Sequence, residues 1–162
     1  MVKVFIDVGA MNGDSIKRLY ETQPDAAKYK IWAFEPDPYW FNLLQQNLQA
    51  NKINNVVSIN AAASNTNDLA KFYCNTKKPI DDNTLMPGKI TGNLDYENPT
   101  TVDCVDFCEW FKSHITDDCY VHLKINIEGG EYLLIEPMIE AGILANVDLL
   151  SCLLYTSPSP RD

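Results

Sequence analysis

Residues 2–15, which read VKVFIDVGAMNGDS, decide the fold. The stretch begins with short, mostly apolar and largely β-branched side chains, which predict a buried strand over residues 2–8. Gly9 and Gly13 then form a turn, and the apolar spacing after Ser15 predicts a helix that ends before Pro24. A buried strand, a glycine-containing turn and a helix in this order are typical of the first unit of a parallel α/β sheet.

The same alternation of strand and helix continues along the chain. Strands are predicted at residues 30–34, 56–59, 69–75, 101–105, 120–127 and 147–151. Helices are predicted to begin at Asp37-Pro38, Asp106 and Glu131. Residues 76–100 contain several prolines and glycines and predict a long loop, which in a compact domain often forms a lid or a substrate wall. We therefore predict an α/β fold with a mostly parallel sheet.

Residues 152–162 are set apart from this domain. They read CLLYTSPSPRD and match, in order, a frame translation of a common transposase sequencing adapter. Their proline and serine content would also suit a natural disordered tail. We expect residues 1–151 to form one domain that is cut short near Ser151, and residues 152–162 to be an artefactual tail, with residues 157–162 extended and unpacked.

Composition and charge exclude several classes of partner. The formal net charge is -9, and an acidic chain repels phosphate backbones, so no nucleic acid is expected. No apolar run approaches the roughly 18 residues of a membrane span, so no membrane is expected. The five cysteines form no Cys-x-x-Cys pair and no export signal is evident, which predicts reduced thiols in the cytoplasm and no metal site. The oligomeric state stays open.

Residues suited to chemistry follow the first two predicted strands, at the sheet edge where doubly wound folds bind ligands. Gly9 and Gly13 would let the backbone approach a ligand, although a plain tight turn is the alternative. Their spacing is not the Gly-x-Gly-x-x-Gly of dinucleotide-binding proteins, which disfavours NAD. Glu35 ends the second strand 22 residues after Gly13. This is close to the offset of about 20 residues expected for an acid that holds ribose hydroxyls.

A third group of polar residues lies on the strand near residue 125. Lys124, Asn126 and Glu128 alternate with isoleucines and so point to one face. Three polar side chains on one face of a buried strand are costly unless they have partners or a chemical task. A structural ion pair between Lys124 and Glu128 is the alternative to a functional role.

Together these segments resemble the FkbM-type methyltransferases. The resemblance rests on Phe5–Ala10, Asn12-Gly13, Phe34–Pro38, Asn60–Ser64 and Leu123–Tyr132, in the family's order, and it covers residues 2–150. It implies a Rossmann-like class I methyltransferase fold and S-adenosyl-L-methionine (SAM) as the cofactor. The chain departs from many members by carrying Asn126 where they carry Asp. The family's sheet also continues past the end of this chain, so we expect a C-terminally truncated sheet.

The resemblance also implies roles for individual residues. Cofactor binding is expected of Asp7, Gly9, Asn12, Gly13, Glu35, Asn60 and Ala61, with Glu35 on the ribose hydroxyls and Asn60 and Ala61 beside the adenine. Catalysis is expected of Lys124, Asn126 and Glu128, with Glu128 as the base. The expected function is O-methylation of a small-molecule or carbohydrate hydroxyl. The alternatives are a truncated, non-catalytic SAM-binding fragment and, with less support, a nicotinamide-dependent Rossmann enzyme.

Overall fold

The structure, a computed structural model, describes residues 1–75, 82–89 and 91–152. Its strands are β1 (Val2–Val8), β2 (Lys30–Phe34), β3 (Val56–Ile59), β4 (Ala62–Ser64), β5 (Leu69–Phe72), β6 (Thr100–Asp106), β7 (Cys119–Ile125) and β8 (Leu149–Cys152). Its α-helices are α1 (Asp14–Thr22), α2 (Pro38–Ala50), α3 (Phe107–His114) and α4 (Glu131–Glu140). Two short 3-10 helices lie at Ala26–Lys28 and Ile143–Asn146. Within the described ranges, no helix is long and apolar enough to cross a membrane.

The central sheet has five strands in the order β3-β2-β1-β7-β8, and each strand is parallel to its neighbours. The prediction of an α/β, mostly parallel, Rossmann-like fold is therefore confirmed. The chain proceeds outward from β1 to β3 on one side and from β7 to β8 on the other. The order thus reverses between β1 and β7, and this switch point is where sheets of this type bind ligands.

A second, three-stranded sheet stands beside the central one in the order β4-β6-β5. β6 is parallel to β4 and antiparallel to β5. β4 is not predicted by sequence pattern, because Ala62-Ala63-Ser64 lacks the β-branched and aromatic residues that mark strands. All three residues are nevertheless buried, and Ala63 packs into the main core.

The hydrophobic core lies on both faces of the central sheet. Val4, Ile6 and Val8 of β1 pack on one face with residues of α3 and α4, whereas Phe5 packs on the other face with residues of α1 and α2. This division follows from the alternation of side chains along a strand. Helices cover both faces, which explains why β1 is buried continuously from Val4 to Val8.

At the β8 edge, Leu149 and Leu150 are 44% and 42% exposed. β8 pairs with β7 in parallel and ends at Cys152, one residue beyond the predicted domain boundary. The predicted extended tail, residues 157–162, lies outside the described residues.

A close approach of two backbones fixes the strand ends at the switch point. β1 and β7 pair along their whole length, from Val2 opposite Cys119 to Val8 opposite Ile125. The next residue, Gly9, has φ +82°, and a Cβ there would lie 2.0 Å from the carbonyl oxygen of Asn126. Only glycine fits this position, because any side chain would push the loop after β1 away from the loop after β7.

We therefore predict that Gly9→Ala lowers the free energy of unfolding by about 2–5 kcal/mol, the sum of left-handed strain and overpacking. Urea denaturation followed by circular dichroism measures the loss. The matched control is Gly142→Ala, since Gly142 has φ +71° but open space around its Cβ position. That variant should lose only the strain, about 1–2 kcal/mol. Equal losses in the two variants would contradict the close-approach explanation.

Candidate functional site

A cavity of about 310 Å³ lies at the carboxyl ends of β1, β2 and β7. Its volume falls at the lower end of the range of roughly 300–1,000 Å³ typical of small-molecule pockets. The loop after β1, the start of α2, the small second sheet and the loop that contains residues 82–89 complete its wall. The residues that line the cavity include Gly9, Met11, Asn12, Glu35, Pro36, Trp40, Ala62, Ala63, Phe72, Asn83, Leu85, Lys124, Asn126 and Glu128.

Buried acids concentrate at this edge of the sheet. In the described part of the chain the buried Asp and Glu residues are Asp7, Glu35, Glu128 and Glu131, and all four stand at or just after the end of β1, β2 or β7. A buried carboxylate is costly unless cations or hydrogen-bond donors surround it. The partners of each acid therefore indicate whether it stabilises the fold or can bind a ligand.

Asp7 and Lys124 form a buried ion pair behind the cavity. Asp7 is completely buried, and its Oδ1 lies 2.7 Å from Nζ of Lys124. Lys124 also donates to the carbonyl oxygen of Gly9 at 2.7 Å, and the hydroxyl of Ser15 donates to Asp7 Oδ2. Lys124 is thus paired with Asp7, and the alternative pairing with Glu128 is not formed. The ion pair ties β1, β7 and the start of α1 together.

Glu35 lines the cavity at the end of β2 and is only 6% exposed. The backbone N–H of Met11 donates to its Oε2 at 2.8 Å, and the N–H of Asp37 donates to its Oε1 at 2.9 Å. Burial raises the pKa of the Glu35 carboxyl to about 7, although these two N–H groups favour the ionised form. Each oxygen keeps a further lone pair, so Glu35 can still accept two hydrogen bonds from a ligand.

Asn60 and Ala61 lie beside the cavity and do not line it. The side-chain amide of Asn60 donates to the carbonyl oxygens of Glu35 and Pro36 at 2.8 and 3.2 Å, which fixes the chain after β2. The next residues, Ala62 and Ala63, form the wall at this point.

The loop after β7 is held by a buried acid of its own. Glu131 accepts the N–H groups of Ile127 at 2.7 Å and Gly129 at 2.8 Å. Between them Glu128 has φ +57°, a left-handed conformation that is uncommon for a residue other than glycine. Its carboxylate lies 2.7 Å from Nζ of Lys89. The side-chain oxygen of Asn126 is buried against the cavity and has no hydrogen-bond partner among the described residues, so it can accept a hydrogen bond from a ligand.

A family model described as a methyltransferase FkbM domain matches residues 7–149. The chain belongs to the FkbM methyltransferase family. The match extends from the end of β1 to the start of β8, so it includes every strand end that borders the cavity. The comparisons with curated proteins and with solved structures gave no significant match.

The structure of this FkbM domain brings most of the predicted site residues together. Gly9, Asn12, Glu35, Lys124, Asn126 and Glu128 line the cavity. Asp7, Gly13, Asn60 and Ala61 do not line it. The left-handed turn at Gly13 starts α1, and a Cβ there would lie 2.8 Å from a methyl carbon of Leu44.

Several residues around the cavity were not predicted from the sequence. Trp40 lies in the first turn of α2 and contributes an indole to the wall. Its position shortly after the helix start at Asp37-Pro38 could have indicated that it lies near the end of β2. Asn83 and Lys89 belong to the predicted long loop, whose irregular sequence gave no means of placing individual side chains. That loop does border the cavity in its described part.

The buried Glu35 predicts a pH-dependent stability for the ligand-free domain. The pKa is about 7 in the folded chain against 4.5 for an ordinary Glu, so the folded state holds the proton more tightly. The contribution of Glu35 to stability is therefore complete below the pKa of the unfolded chain, 4.5, and is lost as the pH rises through the pKa of the folded chain, about 7. We expect a loss of about 3 kcal/mol in the free energy of unfolding across this window.

Urea denaturation of the wild type and of Glu35→Ala from about pH 4 to about pH 8 measures this effect. The wild-type free energy should fall more steeply with pH than that of the variant, because other groups titrate alike in both proteins. Parallel curves for the two proteins would contradict a buried Glu35 that takes up a proton near neutral pH.

Proposed function

We propose that this chain is a SAM-dependent methyltransferase that transfers a methyl group to a hydroxyl of a small molecule or a carbohydrate. The observation that carries the proposal is the buried Glu35 at the end of β2, which faces the cavity with an unused lone pair on each oxygen. A carboxylate at this place in a doubly wound sheet suits the two hydroxyls of a ribose.

The rest of the cavity supports a nucleoside with a charged tail. Pro36, Trp40, Phe72 and Leu85 give the wall near Glu35 an apolar and aromatic surface that suits an adenine ring. The unpartnered Asn126 side-chain oxygen suits an ammonium donor such as that of the methionine part. The residues present therefore fit SAM, and Glu35, Trp40 and Asn126 would hold it.

SAM supplies a methyl group made electrophilic by its sulfonium sulfur. Glu128 is the proposed base, because its carboxylate lines the cavity at the end of β7 and can accept the proton of an acceptor hydroxyl. The buried walls exclude water and restrict the orientation of two reactants, which is the main contribution of a protein to a displacement of this kind. The Asp7–Lys124 ion pair holds β1 and β7 together, and Glu128 lies in the loop that follows β7.

The acidic character of the chain supports an acceptor without phosphate groups. Glu35 and Glu128 both face the cavity, and the cation Lys124 is paired with Asp7. With a formal net charge of -9, the chain is not expected to act on nucleic acid. The five cysteines are unpaired, which supports a reducing compartment such as the cytoplasm.

Glu35→Ala should weaken the binding of SAM by about 10- to 100-fold, because a charged acceptor for two hydroxyls is lost. Isothermal titration calorimetry on the purified chain measures the affinity, and circular dichroism checks the fold. Glu21→Ala is the matched control, since Glu21 is an exposed acid on α1 away from the cavity. Unchanged affinity in a folded Glu35→Ala protein would reject the ribose role.

Glu128→Gln should slow methyl transfer by roughly 10²–10⁴-fold and leave SAM affinity within a few fold, because glutamine keeps the shape and loses the basicity. The assay follows radiolabelled methyl from SAM into a panel of sugars and small hydroxyl compounds, with calorimetry in parallel. Equal losses of affinity and turnover, or no loss of either, would indicate a structural role for Glu128.

A further inference from the structure

The segment of residues 82–89 runs along the mouth of the cavity and is anchored at several points. The side-chain amide of Asn83 donates to Asp37 Oδ2 at 2.7 Å, at the β2 end. Thr84 forms an antiparallel bridge with Tyr73, just after β5. Lys89 reaches Glu128 at the β7 end. The segment therefore spans the cavity from the proposed ribose-binding end to the end that carries Glu128.

Lys89 makes a well-shielded set of contacts. Its ammonium donates to Glu128 Oε2 at 2.7 Å, to Asp82 Oδ1 at 2.7 Å and to the carbonyl oxygen of Asp82 at 2.8 Å. The side chains of Lys89 and Glu128 are 13% and 9% exposed. Burial lowers the pKa of Lys89, but the bonds to Asp82 and Glu128 outweigh it and raise the value, so Lys89 is a cation. A shielded pair of this kind interacts more strongly than a surface ion pair.

The other charged groups packed around this end are engaged elsewhere. Glu131 of α4 accepts two backbone N–H groups, and Asp7 and Lys124 of the central strands pair with each other. Asp82 bonds to the same ammonium as Glu128. Among the described residues, Lys89 forms the salt bridge with the Glu128 carboxylate, while Glu131 accepts the N–H groups on either side of Glu128.

We propose that Lys89 is a positioning residue for Glu128: its ammonium, 2.7 Å from Oε2, holds the carboxylate in place at the cavity. The identity of Glu128 as the base rests on the proposed function. The contact between Lys89 and Glu128 does not depend on SAM or on any acceptor.

The direct test is the carboxyl ¹³C NMR spectrum of the ligand-free protein, in which Glu128→Gln identifies the Glu128 resonance. In Lys89→Met this resonance should move, because the carboxylate loses a charge-assisted hydrogen bond. Lys89→Arg should keep the resonance near its wild-type position. An unmoved resonance in Lys89→Met would overturn the proposal.

Asp82→Asn is the matched control. It alters the same segment and the same ammonium but leaves the bond between Lys89 and Glu128, so the Glu128 resonance should stay near its wild-type position. A displacement as large as that in Lys89→Met would show that the segment collapses whichever partner is lost, and it would also overturn the proposal. If circular dichroism shows that Lys89→Met is unfolded, Lys89→Gln carries the same expectation.

The kinetics of methyl transfer add a readout that a merely structural residue would not move. In Lys89→Met the kcat should fall by about 10- to 100-fold while SAM affinity stays within a few fold, because the base is misplaced, and Lys89→Arg should recover most of the rate. Equal losses of affinity and turnover would overturn the positioning role and assign Lys89 to structure alone. Because the NMR spectrum is recorded without SAM, the Glu128 resonance should move even if the proposed SAM site is wrong, so the two failures remain distinguishable.

Discussion

The buried ion pair between Asp7 and Lys124 is the interaction on which the rest of this structure depends. It joins β1 to β7 at the point where the strand order reverses, with Asp7 fully buried and 2.7 Å separating the charged atoms. Removing one partner of such a pair leaves an uncompensated charge in the interior, a loss of roughly 3–5 kcal/mol. The further contacts of Lys124 with Gly9 and of Asp7 with Ser15 extend its influence to the turn and to α1.

The geometry of the cavity follows from this junction. With β1 and β7 held together, the loop after β1 passes so close to Asn126 that Gly9 must be glycine, and the same loop presents the N–H of Met11 to Glu35. The buried acids then divide by position. Asp7 and Glu131 lie behind the cavity wall and organise backbone and strands, whereas Glu35 and Glu128 line the cavity and are the acids that a ligand can meet.

Local pattern was sufficient for most elements, with the exception of β4. β2 and β3 begin and end where their β-branched and aromatic runs do, and Asp37-Pro38 caps α2 as predicted. The strand predicted over residues 120–127 ends at Ile125, so alternation does not extend to Glu128, which lies in the following loop with a left-handed backbone.

Local pattern did not show which distant residues would pair. Lys124 pairs with Asp7 across the sheet, and Glu128 pairs with Lys89 of an irregular loop. The tertiary fold determines both where a strand ends and which partner a side chain meets.

We propose that the cavity at the ends of β1, β2 and β7 binds SAM through the buried Glu35. Calorimetric titration of two portions of one preparation of the folded chain, one with SAM and one with NAD, measures this directly. We expect SAM to bind with one molecule per chain and NAD not to bind. Binding of NAD, or no binding of SAM by a chain whose fold circular dichroism has verified, would contradict the proposal.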